Sequence, residues 1–274
     1  MRMDARIHRP KGPLAGFVDC IWSWQNDGGG QPKERVIPSG ALAIAIHLGE
    51  DRVRISERGD AARFVSHGGS AITGAHSRYF VIQTPPRPSV MGVLFKPGGA
   101  FPFLGVEAGD LEDAHVDLEA LWGPRARRLR ERLLETSDLA ARVRLIEAAL
   151  LEGAVRSLER TPAVALALEA MEQPDFTRVA DLRARTGLSA KRLIALFRDE
   201  VGIGPKTYWR IRRFQAALRS LERARTPRGA EVAAQLGYFD QAHMIRDFQA
   251  FAGLSPQGYL RAGVDRPNHV PHDG

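Results

Sequence analysis

The feature that most constrains this chain is a pattern written twice between residues 178 and 260. The first copy has Val179 and Leu182, then Gly187-Leu188-Ser189, then Leu193, Leu196 and Phe197, closing at Val201-Gly202 and Pro205. The second has Val232 and Leu236, then Gly237-Tyr238-Phe239, then Met244, Phe248 and Phe251, closing at Gly253-Leu254-Ser255-Pro256 with Tyr259 behind it. Gly187 and Gly237 stand 50 residues apart. Each copy predicts a short helix stopped by a glycine in the left-handed conformation, followed by a second helix. Ser189 or Asp240 is placed to cap that second helix by accepting its free amide hydrogens. Apolar residues at three-to-four spacing turn one of its faces inward, leaving the other free to read a partner. Such a helix-turn-helix inserts the N-terminal residues of its second helix into the DNA major groove.

Between the copies, Pro205 starts a connecting helix with Ile211, Phe214, Leu218 and Leu221 in one apolar stripe. Charge concentrates here. From Arg178 to Arg228 fourteen basic residues face Asp181, Asp199, Glu200 and Glu222, giving +10, more than the whole chain's +7. A basic excess that coincides with a tandem helix-turn-helix points to a polyanion partner.

The tandem pattern, the Pro-started connector, the run from Leu236 to Gln249 and the closing Gly-Leu-Ser-Pro-x-x-Tyr resemble the DNA-binding domain of AraC/XylS-family bacterial transcriptional regulators over roughly the last hundred residues. The resemblance implies that Lys191, Ile194 and Ala195 of the first reading helix, and Gln241, Ala242, Ile245 and Arg246 of the second, face base edges. Gln suits adenine, Arg suits guanine O6 and N7, and Ala and Ile can only touch thymine methyl groups. Ile194 and Ala195 stand where relatives often carry polar readers. Arg192, Arg198, Lys206, Tyr208, Arg212 and Gln249 would hold phosphates, a role that sets affinity and register without reading sequence.

Residues 1–115 read as β-rich. Candidate strands lie at 17–24, 41–48, 52–55, 78–83 and 90–95, punctuated by Gly, Pro, Ser and Asp, as in the turn containing Gly28, Gly29 and Gly30. Trp22 and Trp24, Val36 to Gly40 and Leu94 to Ala100 resemble the cupin-like N-terminal domains found in AraC-type regulators, which implies a small barrel or sandwich. Trp22, Trp24, His47, Phe80 and Phe95 are candidate liners of an effector pocket there, with ordinary barrel core as the competing reading. Amphipathic helices at 125–134 and 139–157 carry Leu129, Leu133, Val143, Ile146 and Leu150. This region, 116–160, serves equally well as a linker or a dimer interface. A DNA-binding domain is expected at 161–264 and a flexible tail at 265–274. The fold class is thus α+β in two domains: a β-rich N-terminal domain, a helical linker and an all-α tandem helix-turn-helix.

No run of 18 apolar residues and no signal-like leader occurs, so a cytoplasmic protein is expected, with no membrane partner. The single cysteine, Cys20, excludes an internal disulfide and a cysteine-based metal site. A cupin-type metal enzyme would need ligands among His47, His67, His76, His115, Glu50 and Glu107, but the His-x-His pattern with a nearby Glu is missing. No nucleophile elbow or phosphate-cradling Gly loop appears. The expected protein is a sequence-specific regulator with double-stranded DNA as its partner, no cofactor, no metal and no catalytic residues. A small-molecule effector and a homodimer are left open. A nonspecific or architectural DNA-binding protein is the alternative, and a fused metal enzyme a weaker one.

Overall fold

The structure is a computed structural model describing residues 3–26, 33–56, 63–173, 176–223, 229–264 and 266–272. The Gly28–Gly30 turn and the basic residues Arg225 and Arg228 lie outside these.

The N-terminal half consists of β1 (Met3–His8), β2 (Val18–Asn26), β3 (Lys33–Val36), β4 (Ala43–His47), β5 (Arg52–Ser56), β6 (Val65–Gly68), β7 (Ser70–Thr73), β8 (Phe80–Gln83), β9 (Ser89–Phe95) and β10 (His115–Asp117). They form two sheets, one ordered β1-β2-β9-β4-β7-β10 and one containing β3-β8-β5-β6. All pairings are antiparallel. The five strands expected from sequence are present. Five strands were not anticipated: β1, six residues long, and the short strands β3, β6, β7 and β10, which have only three or four residues and lack clean alternation. Gly92 in β9 lets the backbone pass beneath a large ring: a Cβ there would sit 2.3 Å from the indole of Trp22.

Helices follow: α1 (Phe101–Leu104), α2 (Leu118–Trp122), α3 (Pro124–Glu135), α4 (Leu139–Glu152) and α5 (Pro162–Glu172). Ala126, Leu129 and Leu133 of α3 and Val143, Ile146 and Leu150 of α4 are all buried. They join the cluster that holds Ile21, Ile44, Ile72 and Val93 of the larger sheet. The stripe that could have served a linker or a dimer is therefore spent inside the chain, covering a sheet face that would otherwise expose its isoleucines and valines to water. Cys20 is a buried free thiol.

The C-terminal half has α6 (Leu182–Thr186), α7 (Ala190–Val201), α8 (Pro205–Arg223), α9 (Gly229–Gln235), α10 (Gln241–Ala252) and α11 (Pro256–Ala262). It docks closely on the β-rich half. Gly202 packs beside Ala75, Ala108 and Leu42, and Tyr208 lies so near Gly40 that a Cβ there would meet its ring at 3.1 Å. Gln215 donates to the Pro38 carbonyl at 2.7 Å. The tail, expected to be flexible, instead carries β11 (His269–Pro271), which pairs antiparallel with β3. Arg266 fastens it, contacting the Glu34 carboxylate and lying 3.7 Å from the ring centroid of Trp24. Backbone pairing and a desolvated cation over an indole outweigh the entropy of a free end, and short polar sequence gives no sign of either.

Candidate nucleic-acid interface

Both predicted turns form as expected. Gly187 and Gly237 take φ of 68°, the left-handed values that release the chain from one helix into the next. Ser189 caps α7 by accepting the Arg192 amide at 3.3 Å, and Asp240 caps α10 by accepting the His243 amide at 2.6 Å. Left-handed Gly202 and Gly253 end the two helices, each of 12 residues. Leu193 and Phe197 of α7, and Met244, Phe248 and Phe251 of α10, are buried. Phe214 of α8 meets both Phe248 and Phe251, with ring centroids 4.9 and 5.2 Å apart. The long helix α8 is thus the strut against which both units are fixed.

This packing decides which side chains remain outside. Lys191 and Ala195 are exposed, and Ile194 retains 49% of its accessible surface, a high value for an isoleucine. Gln241, Ala242 and Arg246 are exposed, and Ile245 is half-buried. The seven candidate base-reading positions therefore occupy the outer faces of α7 and α10. Phe239, which sequence reasoning passed over, is 91% exposed immediately before the Asp240 cap. Its neighbour Tyr238 is buried under the Arg213 guanidinium, 3.9 Å from the ring centroid.

The phosphate-contact set divides. Arg192, Lys206 and Gln249 are exposed, and Arg212 is half-buried. Tyr208 is not at the surface: it retains 1% exposure, packs on Phe197, and burial pushes its hydroxyl pKa up to about 12. It faces inward because α8 turns that side onto Gly40 of the β-rich half, so it braces the two halves and does not reach a backbone phosphate. Arg198 is half-exposed, yet its Nε donates to Glu112 at 3.2 Å, tying α7 to the N-terminal half.

The basic excess is likewise partly internal. Asp247 of α10 retains 1% exposure and receives Arg210 at 2.7 Å and Arg213 at 3.4 Å. Arg213 also donates to the Gly237 carbonyl. The motif placed Asp247 next to Arg246 but gave no sign that it would anchor two arginines of the connecting helix.

The proposed effector-pocket liners do not converge. Phe95 stacks on Phe103 in the core, its centroid 5.8 Å away, while Trp24 is covered by Arg266. Trp22 lies over Gly92. His47 offers its carbonyl to Arg130, and burial pushes its imidazole down to about 4. Phe80 instead meets His115 edge-on at 4.3 Å.

Three of the histidines weighed as metal ligands do come together. His76 stacks on His115 with centroids 4.7 Å apart, and His67 lies 5.9 Å from His115. Their Nδ1 atoms face Asp113, Thr73 and Asp117 at 3.5, 3.2 and 3.6 Å respectively, and their three buried Nε2 atoms have no hydrogen-bond partner among the described residues. Among the described residues no group of three or more His, Cys, Asp or Glu side chains is arranged to hold a metal ion. No helix among them is long and apolar enough to cross a membrane.

Residues 182–262 match the family model described as a helix-turn-helix domain, and residues 6–117 match that of a domain of unknown function, DUF6597. No curated protein matches the chain. Solved structures similar to it include an apo variant of ToxT from Vibrio cholerae strain SCE256, at 9% identity and a TM-score of 0.48, covering 88% of this chain and 97% of that one. Unsaturated fatty acid bound wild-type ToxT from the same strain has 9% identity and a TM-score of 0.47, with coverage of 88% and 94%. The tandem motif, its capped geometry and the family match agree, and residues 182–262 are a helix-turn-helix domain in the tandem arrangement expected from the sequence.

Proposed function

We propose that this protein binds a defined double-stranded DNA site, setting α7 and α10 into neighbouring major-groove segments, and regulates transcription there. The observation that carries this reading is the pairing of two equally long, side-chain-capped helices braced by one strut, each with exposed side chains on the outer face of its N-terminal half. A nonspecific coating protein has no need of two such rigidly fixed readers.

The readers have unequal chemistry. On α10, Gln241 and Arg246 offer hydrogen bonds to adenine and guanine edges, with Ala242 and Ile245 for apolar contact. On α7, Ile194 and Ala195 are suited to thymine methyl groups, and Lys191 reaches a base or a phosphate. Arg192, Lys206, Arg212 and Gln249 would set register on the backbone, joined by Arg198 if it leaves Glu112. Control by a small molecule in the N-terminal half, acting on DNA occupancy as far as the molecule binds two states unequally, fits the close docking of the two halves. Homodimerisation would have to use a surface other than the buried α3–α4 stripe.

Replacing Arg246 with Ala tests the reader assignment. Affinity for the specific site should drop by about 1–3 kcal/mol, with discrimination lost at one base pair, while binding to random DNA changes far less. Competition anisotropy with single-position site variants measures this. Equal weakening on specific and random DNA would remove Arg246 from the reading set.

A further inference from the structure

We propose that the loop joining β7 to β8, residues 74–79, sets the distance between α7 and α10, with Tyr79 and Asp113 as its positioning residues. Four residues apart on this loop, Ala75 and Tyr79 seat against corresponding points of the two repeats. A Cβ on Gly202, which ends α7, would lie 3.1 Å from that of Ala75, and one on Gly253, which ends α10, would lie 2.5 Å from the Tyr79 ring. Both glycines are left-handed. Lacking a side chain, each lets the loop approach more closely than any other residue would. One short segment of the β-rich half thus touches the C-terminal ends of both helices.

Asp113 makes that segment stiff. Its carboxylate accepts the Ser77 amide and the Ser77 hydroxyl, each at 2.6 Å, and lies 3.5 Å from Arg78 and from His76 Nδ1. Its amide donates to the Ala75 carbonyl at 3.2 Å, and the Gly74 amide donates to the Ala114 carbonyl at 3.0 Å, so the loop is stitched to the chain before β10. Tyr79 adds a large ring with only two side-chain torsions, a rigid contact at low entropic cost. The connecting helix α8 gives α7 and α10 one shared support, through Tyr208 on Phe197 and Phe214 on Phe248, with centroids 5.6 and 4.9 Å apart. A second link through the loop closes a triangle and removes the freedom to pivot about the first. Close-packed contacts pass on a displacement instead of absorbing it. The consequence for DNA, which rests on the reader assignment above, is that the β-rich half sets how far apart the two elements of a site must stand. One added base pair moves an element by about 3.4 Å and turns it by about 35°, too far for helices held in this way to follow.

Pulsed electron spin resonance on the full-length protein without DNA measures the separation, using nitroxides at Lys191→Cys and Ala242→Cys in a Cys20→Ala background. Tyr79→Ala should shift the mean distance by about 2 Å or more, the scale on which packed helices move, or broaden its distribution about twofold. Tyr79→Phe, which keeps the ring, should match the parent. Asp113→Ala should act as Tyr79→Ala does, and decides the matter if that variant fails to fold. A lowered Tm with the parent distance distribution retained would make the contact merely structural and overturn the proposal. On a site recovered by selection, one base pair inserted between the two elements should cost the unlabelled parent about tenfold or more in affinity, and Tyr79→Ala under about threefold. An equal penalty in both proteins would overturn the consequence for DNA. Failure to recover any site would count against the DNA reading alone, because the distance measurement uses no DNA.

Discussion

Asp247→Ala should cost about 3–5 kcal/mol of stability and abolish site-specific DNA binding at ordinary temperatures. The carboxylate is almost fully buried and meets Arg210 and Arg213. Removing it leaves two guanidiniums facing each other without a counter-charge, one of them only 11% exposed. Breaking a buried ion pair by deleting one partner carries a penalty of that size because the surviving charge stays desolvated. The damage is directional. Asp247 lies on α10 and both arginines on α8, so the second reading helix loses the polar tie to its strut. Asp247→Asn, which keeps the shape and one acceptor, should cost less. Urea unfolding by circular dichroism, followed by anisotropy on specific DNA, checks both statements. A loss under about 1 kcal/mol would show that the aromatic contacts of Phe214 with Phe248 and Phe251 hold α10 without the pair.

Acidification should unfold the β-rich half through its histidine cluster. Burial is the main cause that pushes His76 down to about 4 and His115 to about 2 from an ordinary 6.5. For His115 the neighbouring His76 and His67 add to the effect, while Asp113 opposes it at His76 and Arg78 reinforces it. The unfolded chain takes up protons as pH falls through about 6.5, whereas the folded chain resists until its lower values are reached. Stability is therefore level above about pH 6.5 and declines from there toward pH 4, by a few kcal/mol for His76 and His115 together. His47, pushed down to about 4 by burial and Arg130, acts in the same sense. The measurement is urea unfolding followed at several pH values. His115→Phe should flatten the dependence, since an apolar ring next to Phe80 has no proton to accept. An unchanged profile in that variant would assign the acid sensitivity to other groups.

The helix-turn-helix half was legible because each of its signals is local. Glycines at Gly187 and Gly237, caps at Ser189 and Asp240, and apolar residues at three-to-four spacing act within a dozen residues, and the structure places all of them as the sequence implies. What the sequence withheld depends on partners far away in the chain. Tyr208 looks like a groove-flanking tyrosine until Gly40 is folded against it. Arg210 and Arg213 count as basic surface until Asp247, more than thirty residues on, takes them inside. The tail reads as loose until β3 supplies an edge for it. In the β-rich half, aromatic and histidine positions were identifiable, yet only register across the sheets sends Phe95 to the helical core and Trp24 to Arg266. The same register gathers His67, His76 and His115 at one place.

The central claim is that two fixed helices read a defined DNA site. Its most direct test is fluorescence anisotropy of the purified protein on the DNA upstream of its own gene, against shuffled DNA of equal length, over a salt titration. Pure phosphate binding weakens steeply with salt and does not distinguish the two DNAs. The account predicts saturable binding to the native sequence near physiological salt, tighter than to shuffled DNA by about 10³-fold or more. If the native sequence and sites recovered by genome-wide selection all bind no better than shuffled DNA, with the same salt slope, the protein is a general DNA binder and the claim fails.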